Sequence, residues 1–341
     1  MVSQGAGALL RQLVSEGVSP WLSARDPEEF AAAVRYPTLG GHFHNALAPA
    51  GSTPAQARRA CDLLLPLFEA SRGTVGHVSV PVAPRWAHDA PALLEAARSL
   101  HGAVGRPNAL VRMPMTPAGL AVLADCLADG IGVHACLVFS DARYAEVLDA
   151  YVCGLERSLA SGRPLGGAPM VASFPAGLFD READSRLDEL GVAVDHEVRG
   201  AAGLAVARRM YRIREERLSG DWWRVLRANG APQPRLLWSP ADGGVGALVG
   251  WNTALALSVE TLEAAALEPA LTGDTLLNAG AEASSALLAL ERLGVRVAEL
   301  AAVLEAQELA RLQQGRPVRR GSVPAASPGS GCSSAPAAEQ P

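Results

Sequence analysis

The stretch "RPNALVRMPMTPAG" (residues 106–119) has the pattern of a buried strand followed by a helix. Its apolar part carries one arginine, Arg112, among aliphatic and thioether side chains: Leu110, Val111, Met113 and Met115. An arginine is almost never fully buried without partners, because removing its charge from water is costly. The stretch therefore predicts a strand–helix unit in which one side chain of the strand has a special environment.

The alternation of extended and helical patterns continues through most of the chain. Apolar periodicity at helical spacing recurs at 54–71, 90–100, 117–130 and 140–162, and the last of these has Ser140 as N-cap and Gly162 as stop signal. The predicted strands lie between such segments, at 38–45, 77–83, 108–114, 131–139, 168–174, about 200–206, 235–239 and 250–255. Strands that alternate with helices pair in parallel through right-handed crossovers. About eight such units predict an α/β fold, a (β/α)8 barrel.

The carboxyl-terminal part of the chain changes character. Helical patterns at 283–294 and 296–313 follow the predicted barrel as extra terminal helices. From residue 314 the sequence is rich in Pro, Gly, Ser and Ala and has no apolar period. We therefore expect a barrel domain over 1–313 and a disordered tail over 314–341.

Composition excludes several classes of protein. The chain of 341 residues is 49% hydrophobic with a net charge of -5, so it can bury a large core and has no basic surface that indicates nucleic acid or an anionic membrane as partner. It has no apolar run long enough to span a bilayer and no signal segment. Its five cysteines lack any C-x-x-C spacing, so we expect reduced thiols and a cytoplasmic location: Cys61, Cys126, Cys136, Cys153 and Cys332.

Lysine is absent from the sequence, and all 30 basic residues are arginine. A GC-rich genome is the plain explanation, and the high content of Ala, Gly and Pro agrees with it. The chemical consequence is independent of the cause. No lysine side chain is present to form a Schiff base with a carbonyl compound.

Several motifs in constant order resemble transaldolases of the actinobacterial type, over about residues 10–313. They are "GVSPWL" (17–22), "GHVSVPVAPRWAHD" (76–89), "RPNALVRMPMTPAGL" (106–120), "GIGVHACLVFSDARYAEVLDAYVCGLE" (130–156), "VASF" (171–174), "WWRVLRANGAPQPRLLWS" (222–239) and "WNTALALSVETL" (251–262). The resemblance implies a transaldolase-type (β/α)8 barrel with its active site in the barrel mouth.

The same resemblance implies altered chemistry. Transaldolases form a Schiff base between a strand lysine and a ketose phosphate, and the lysine position corresponds to Arg112, whose guanidinium stays protonated. Ser173 matches the family residue, whereas other family positions differ: Ser23 and Pro81 for acidic residues, His44 and His134 for asparagines, His42 and Cys136 for threonines, and Leu178 for the phosphate-binding arginine. A working transaldolase is therefore not expected.

The replacements at these positions are themselves capable of chemistry. Because strand residues two apart face the same way, His42 and His44 share one face, as do His134 and Cys136. If all four face the mouth, three imidazoles and a thiol could hold a divalent transition metal that polarises a carbonyl group. The plainer interpretation is that these side chains only make hydrogen bonds or fill the core.

The remaining assignments follow from the same reasoning. Arg112 is suited to bind a carboxylate or a phosphate through two parallel hydrogen bonds, or to form a structural ion pair. Asp242 is the nearest carboxylate for a general base, and the sequence supports it weakly.

Two functional hypotheses remain at this stage. One is a repurposed enzyme of lyase or transferase type that acts on a small carbonyl, carboxylate or phosphate compound, with catalytic residues Arg112, His44, His134, Cys136 and Ser173. The other is a non-catalytic protein that binds a ligand or a partner. The predicted fold is the same in both cases, and the expected partner is a small molecule in the barrel mouth.

Overall fold

The computed structural model describes residues 3–35, 43–191, 198–241 and 244–315. Eight parallel strands close into a barrel in sequence order. They are β1 (Val18–Ser23), β2 (Asn45–Leu47), β3 (Val78–Pro81), β4 (Ala109–Pro114), β5 (Val133–Cys136), β6 (Met170–Phe174), β7 (Arg235–Trp238) and β8 (Thr253–Leu257). The predicted (β/α)8 barrel is confirmed.

Helices surround the barrel and extend beyond it. Before and between the first strands lie α1 (Gln4–Ser15), α2 (Pro27–Arg35), α3 (Pro54–Ala70), α4 (Ala90–Val104), α5 (Pro117–Ala128) and α6 (Asp141–Ala160). The later helices are α7 (Ala176–Glu189), α8 (Ala202–Arg217), α9 (Asp221–Ala228), α10 (Val259–Ala265), α11 (Gly280–Arg292) and α12 (Val297–Gln313). Among these helices, none combines the length and the apolar character that a membrane span requires.

Local signals explain where many of these helices begin. Thr53 and Gln56 form a capping box at the start of α3, and Ser140 accepts a hydrogen bond from the Arg143 N–H as predicted. Thr116 caps α5 in the same way, directly after the strand that carries Arg112. The strand–helix unit predicted from 106–119 is therefore present.

Two strand predictions are wrong. Residues 200–206 do not form a strand, because α8 occupies Ala202–Arg217. The first barrel strand is β1, which the strand prediction missed, and of the predicted strand 38–45 only Asn45 lies in β2. Residues 38–42 lie outside the described part of the chain, as does the predicted tail from residue 316.

Two apolar clusters hold the barrel together. The larger one fills the space between strands and helices and includes Val111 and Met113 from β4. A smaller cluster fills the barrel interior: Trp21, Leu110, Val171, Leu237, Ala254 and Ala256. Side chains alternate between these two sides along each strand, so Arg112, two residues beyond Leu110, also points into the barrel.

Candidate functional site

A cavity of about 500 Å³ lies at the carboxyl ends of the strands. This end of a (β/α)8 barrel is where active sites of the fold are built. Its lining includes Arg112, His134 and Cys136, together with four hydroxyl side chains: Ser23, Ser52, Ser173 and Ser239. Leu312 and Gly315, at the end of α12, also border it. The cavity is therefore a mixed apolar and polar pocket.

Arg112 enters this cavity from β4. Its strand neighbours in register are Pro81 on β3 and His134 on β5. Its Nη2 atom donates a hydrogen bond of 2.5 Å to the carbonyl oxygen of Ala48, which follows β2. The side chain is partly buried, at the wall of a cavity rather than in an apolar core. This position explains how a cation fits within an apolar strand.

His134 lies beside Arg112 and is almost completely buried, with 1% of its surface exposed. Its Nδ1 atom is 2.7 Å from the hydroxyl oxygen of Ser79 on β3. Its Nε2 atom is buried and has no hydrogen-bond partner among the described residues. Burial lowers the pKa of His134 well below the usual 6.5, and the charge of Arg112 lowers it further. The imidazole is therefore neutral at physiological pH.

Cys136 lies two residues beyond His134 on the same face of β5. Its register partner is Pro114, and 9% of its surface is exposed. Burial raises the pKa of the Cys136 thiol to about 11, although Arg112 favours the thiolate. At neutral pH the cavity therefore presents a protonated thiol, which is a weak hydrogen-bond donor and not a nucleophile.

The hydroxyl groups of the cavity come from four different strands or loops. Ser23 ends β1, Ser173 lies on β6, Ser239 follows β7, and Ser52 lies in the loop after β2. The Ser52 hydroxyl is buried without a hydrogen-bond partner among the described residues. These groups can bind the hydroxyl or carbonyl oxygens of a small ligand.

Some of these polar residues were missed by sequence reasoning. Ser79 lies two residues before Pro81, so the alternation of strand β3 could have placed it on the inner face. Ser52 and Ser239 lie in loops, where no periodic signal exists. The predicted positions Ser23, Pro81, Arg112, His134, Cys136 and Ser173, in contrast, all line the one cavity.

The prediction that His44 faces the mouth is wrong. His44 comes directly before β2, at the amino end of the barrel, where its carbonyl oxygen accepts a hydrogen bond from the Gly76 N–H. Burial lowers the pKa of its imidazole, and Arg235, the first residue of β7, adds to this effect. The mouth end of the same strand carries Leu47 and Ala48 instead. The prediction failed because β2 begins at residue 45, whereas the predicted strand ended at that residue.

The predicted metal ligands are consequently separated. His134 and Cys136 lie in the mouth, His44 lies at the opposite end of the barrel, and His42 is outside the described residues. Among the described residues, no three histidine, cysteine or acidic side chains are grouped as a metal site would require. The weak candidate base, Asp242, is also outside the described residues, and the described lining of the cavity contains no carboxylate.

Comparison with known proteins gives one consistent family for this chain. The family model described as Transaldolase/Fructose-6-phosphate aldolase matches residues 53–314. The protein named Transaldolase 1 of Streptomyces avermitilis is 38% identical over 270 residues, which cover 76% of this chain and 71% of that protein. Transaldolase 1 of Streptomyces coelicolor is 39% identical over the same length, and the Transaldolase of a Parafrankia species is 37% identical. The chain therefore belongs to the transaldolase/fructose-6-phosphate aldolase family.

Proposed function

We propose that this barrel is an enzyme that no longer forms a Schiff base and instead binds and polarises a small carbonyl, carboxylate or phosphate compound through Arg112. The observation that carries the proposal is the guanidinium of Arg112 in the wall of the mouth cavity, in a chain without lysine. The family relationship supports an enzyme in general terms, since its relatives are named transaldolases.

The absence of lysine argues against the covalent chemistry of transaldolases. An iminium forms when an unprotonated primary amine attacks a carbonyl carbon. A guanidinium has no free amine and remains protonated under all ordinary conditions. The resemblance assigns the lysine position to Arg112. A lysine there would carry the positive charge of an iminium only after reacting with a carbonyl compound, whereas the guanidinium is positively charged at all times.

A permanent cation is suited to hold negative charge. A guanidinium binds a carboxylate or phosphate by two parallel hydrogen bonds, and the interaction is stronger in a partly buried cavity than in water. The cavity therefore favours a ligand that is anionic or that becomes anionic during the reaction.

The other polar groups complete this site. Ser173 and Ser23 offer hydroxyls to the ligand, and the Cys136 thiol is a weak donor in the same lining. A metal ion held by His42, His44, His134 and Cys136 is not part of this proposal, because His44 lies at the other end of the barrel.

A second function, ligand binding without turnover, is favoured by one observation. The described lining has no carboxylate, and the pKa of its imidazole is lowered by burial, so the described residues of the cavity include no strong general base. The same cavity and the same anionic ligand would serve this function. The two functions differ only in whether the bound compound is transformed.

The test combines binding and turnover. Thermal unfolding is followed with a panel of small carboxylates, carbonyl compounds and phosphates, and every compound that raises the melting temperature is incubated with the protein and followed by NMR. Arg112→Met should weaken binding about 10- to 100-fold, as expected for the loss of a charge-assisted hydrogen bond. Arg224→Met is the matched control, because its side chain is 73% exposed and paired with Asp221 on the surface.

The outcomes separate the two functions and the failure of both. Arg112-dependent binding with conversion of the ligand supports the enzyme. Arg112-dependent binding without conversion supports the binding protein. Binding that Arg112→Met leaves unchanged would contradict the proposal, since it would place the ligand elsewhere.

A further inference from the structure

One side of the mouth cavity is apolar and open to a ligand. The apolar residues that line the cavity and keep part of their surface accessible are Leu47, Ala50, Pro81, Ala83, Pro84 and Leu312. All but Leu312 belong to the neighbouring strands β2 and β3 or to the loops that follow them. A ligand in the cavity therefore meets hydrocarbon on this side.

The end of α12 completes the apolar side. This helix packs against α7 and against the 3-10 turn Pro84–Trp86, which follows β3. Its Glu305 carboxylate is 3.8 Å from the guanidinium of Arg143, at the start of α6. These contacts hold α12 against the rim of the barrel at the carboxyl ends of the strands, and its last turn brings Leu312 into the lining. The position of Leu312 is therefore set by the fold.

Polar groups that a ligand can reach are fewer in the described lining. Ser173 and Ser239 are partly exposed hydroxyl residues, whereas the hydroxyl oxygen of Ser52 is itself buried. A ligand with a hydroxyl group on nearly every carbon would lose water from these groups without gaining as many partners, which is unfavourable. A hydrocarbon chain in the same place has no polar groups to satisfy.

The size of the cavity suits a ligand with an apolar body. Its volume of about 500 Å³ lies within the range of small-molecule sites, roughly 300–1,000 Å³, and is more than an acetate-sized compound fills. Each methylene group moved from water onto an apolar surface strengthens binding about two- to fourfold. A chain of several carbons therefore gains affinity from this side of the cavity.

We infer that the compound bound in the mouth is an amphiphilic anion, whose hydrocarbon body packs against the apolar side formed by the loops after β2 and β3 and by Leu312. This inference rests on the proposed function, in which Arg112 binds the anionic head. It names the ligand class of the same cavity. Leu312 is a specificity-determining residue, because it selects the body of the ligand.

Two matched pairs of probes test the inference on the wild-type protein. Hexanoate and gluconate are six-carbon carboxylates that differ in the hydroxyl groups of gluconate, and hexyl phosphate and sorbitol 6-phosphate differ in the same way. In calorimetric titrations, the hydrocarbon member of each pair that binds should bind at least about tenfold more tightly. Equal binding within both pairs, tighter binding of a polyhydroxylated member, or no binding of either hydrocarbon probe would overturn the inference.

A chain-length series of acetate, butyrate and hexanoate tests the role of Leu312. Leu312→Gln should weaken hexanoate binding about 3- to 10-fold and change acetate binding little, because acetate is too short to reach across the cavity. Leu288→Gln is the matched control: Leu288 lies on α11, is 51% exposed, and is not among the described residues that line the cavity. Equal loss of hexanoate binding in both variants, or no loss in Leu312→Gln, would overturn the assignment to Leu312.

The controls separate folding, this inference and the proposed function. Melting temperatures show whether Leu312→Gln is folded, and the matched pairs do not depend on that variant. If the proposed function fails, hexanoate binds equally well to the wild type and to Arg112→Met. If this inference fails, anions bind in a way that depends on Arg112 but gain nothing from a hydrocarbon body.

Discussion

Arg112 shows why the two faces of a strand must be considered separately when the environment of a side chain is predicted from the sequence. Its neighbours Val111 and Met113 are buried against the helices, while Arg112 and Leu110 point into the barrel. Leu110 lies deeper and packs in the apolar interior, and Arg112 lies one step nearer the mouth, in the wall of the cavity. The apolar run is thus made of two different environments, and the charge lies in the one that meets the cavity.

A buried histidine at the opposite end of the barrel makes stability depend on pH. His77 is 4% exposed, and its Nε2–H donates to the Gly73 carbonyl oxygen at 3.1 Å. Burial lowers the pKa of His77 to about 4, and Arg235 contributes in the same direction. In the unfolded chain a histidine titrates near 6.5, so between these values the unfolded state binds more protons. The stability that the neutral ring contributes is therefore present above pH 6.5 and is lost as the pH falls towards 4.

The expected size of this effect is about 2–3 kcal/mol between pH 7 and 4.5. Urea unfolding of the wild type and of His77→Gln, which keeps a donor for Gly73 but does not titrate, measures it at both pH values. The variant should lose less stability on acidification than the wild type by this amount. An equal loss in both proteins would mean that the imidazole is not the group responsible.

At the scale of elements, α8 begins without a capping side chain of its own. Its N-cap is Ala201, and the Gly203 N–H instead donates to the carboxylate of Asp180 on α7, at 2.6 Å. Burial raises the pKa of Asp180 to about 7, with Asp184 adding to this effect, while the hydrogen bond from Gly203 opposes it. In the unfolded chain the carboxyl titrates near 3.8. Between pH 4 and 7 the folded state therefore binds more protons.

The sign of this effect is opposite to that of His77. The contribution of protonated Asp180 is present at pH 4 and is lost as the pH rises through 7. Asp180→Asn keeps an acceptor for Gly203 and removes the charge, so its stability relative to the wild type should rise by about 2–3 kcal/mol from pH 5 to pH 8. Chemical unfolding at the two pH values tests this, and a difference that does not vary with pH would contradict it.

At the start of α8, the neighbouring backbone leaves no room for a side chain at Gly203. A Cβ atom at Gly203 would lie 2.3 Å from the carbonyl oxygen of Ala176. Because a backbone atom cannot move aside easily, Gly203→Ala should destabilise the protein by about 1–3 kcal/mol. The matched control is Gly102→Ala in α4, where a Cβ atom would meet nothing within 4 Å. That change should stabilise by about 0.5–1 kcal/mol, since alanine is the better helix residue.

Both unfolding free energies can be measured in the same urea titration. If the two alanine variants were equally stable, the close contact between α7 and α8 would not constrain the fold. This contact also affects the mouth, because Gly177 at the start of α7 donates to the carbonyl oxygen of Ser239, a residue of the cavity wall. The packing of α7 and α8 thus supports one side of the site.

These elements also explain what could be predicted from the sequence. Strands β3 to β7 were predicted because they are apolar runs between helices with strong periodicity. The first turn of α8 was predicted to be a strand. Its capping residue, Asp180, comes from another helix, so the local sequence contains no helix-start signal. Strand β1 was missed because "VSPWLS" contains a proline, which argues against a strand although the Pro20 carbonyl oxygen still accepts from His44 N–H.

The site was predictable to the same extent as its strands. The family resemblance, together with alternation for His134 and Cys136, predicted Arg112, His134, Cys136 and Ser173 at the mouth, and all four line the cavity. The prediction failed for His44 because β2 begins at residue 45, and a register error moves side chains from one end of a barrel strand to the other. The Ser79–His134 pair joins residues 55 apart in sequence, so no local pattern could indicate it.

At the scale of the whole molecule, the barrel allows Schiff-base formation to be tested at a single position. The closed sheet brings residues from β1 to β7 to one cavity, and the chain contains no lysine that would compete with one introduced there. Arg112→Lys therefore creates the single lysine of the protein at the position that the family resemblance assigns to the Schiff base. Partial burial lowers the pKa of a lysine amine, which increases its unprotonated, nucleophilic fraction.

We expect borohydride reduction in the presence of fructose 6-phosphate to trap an adduct on Arg112→Lys, found by mass spectrometry in the peptide that contains residue 112. The wild type should give no adduct on any internal residue, because an iminium needs a primary amine. Arg224→Lys is the control for a solvent-exposed lysine, whose amine stays largely protonated at neutral pH. Equal labelling of the two lysine variants would show that the cavity does not activate an amine at residue 112. A trapped internal adduct on the wild type would contradict the proposal that this barrel works without a Schiff base.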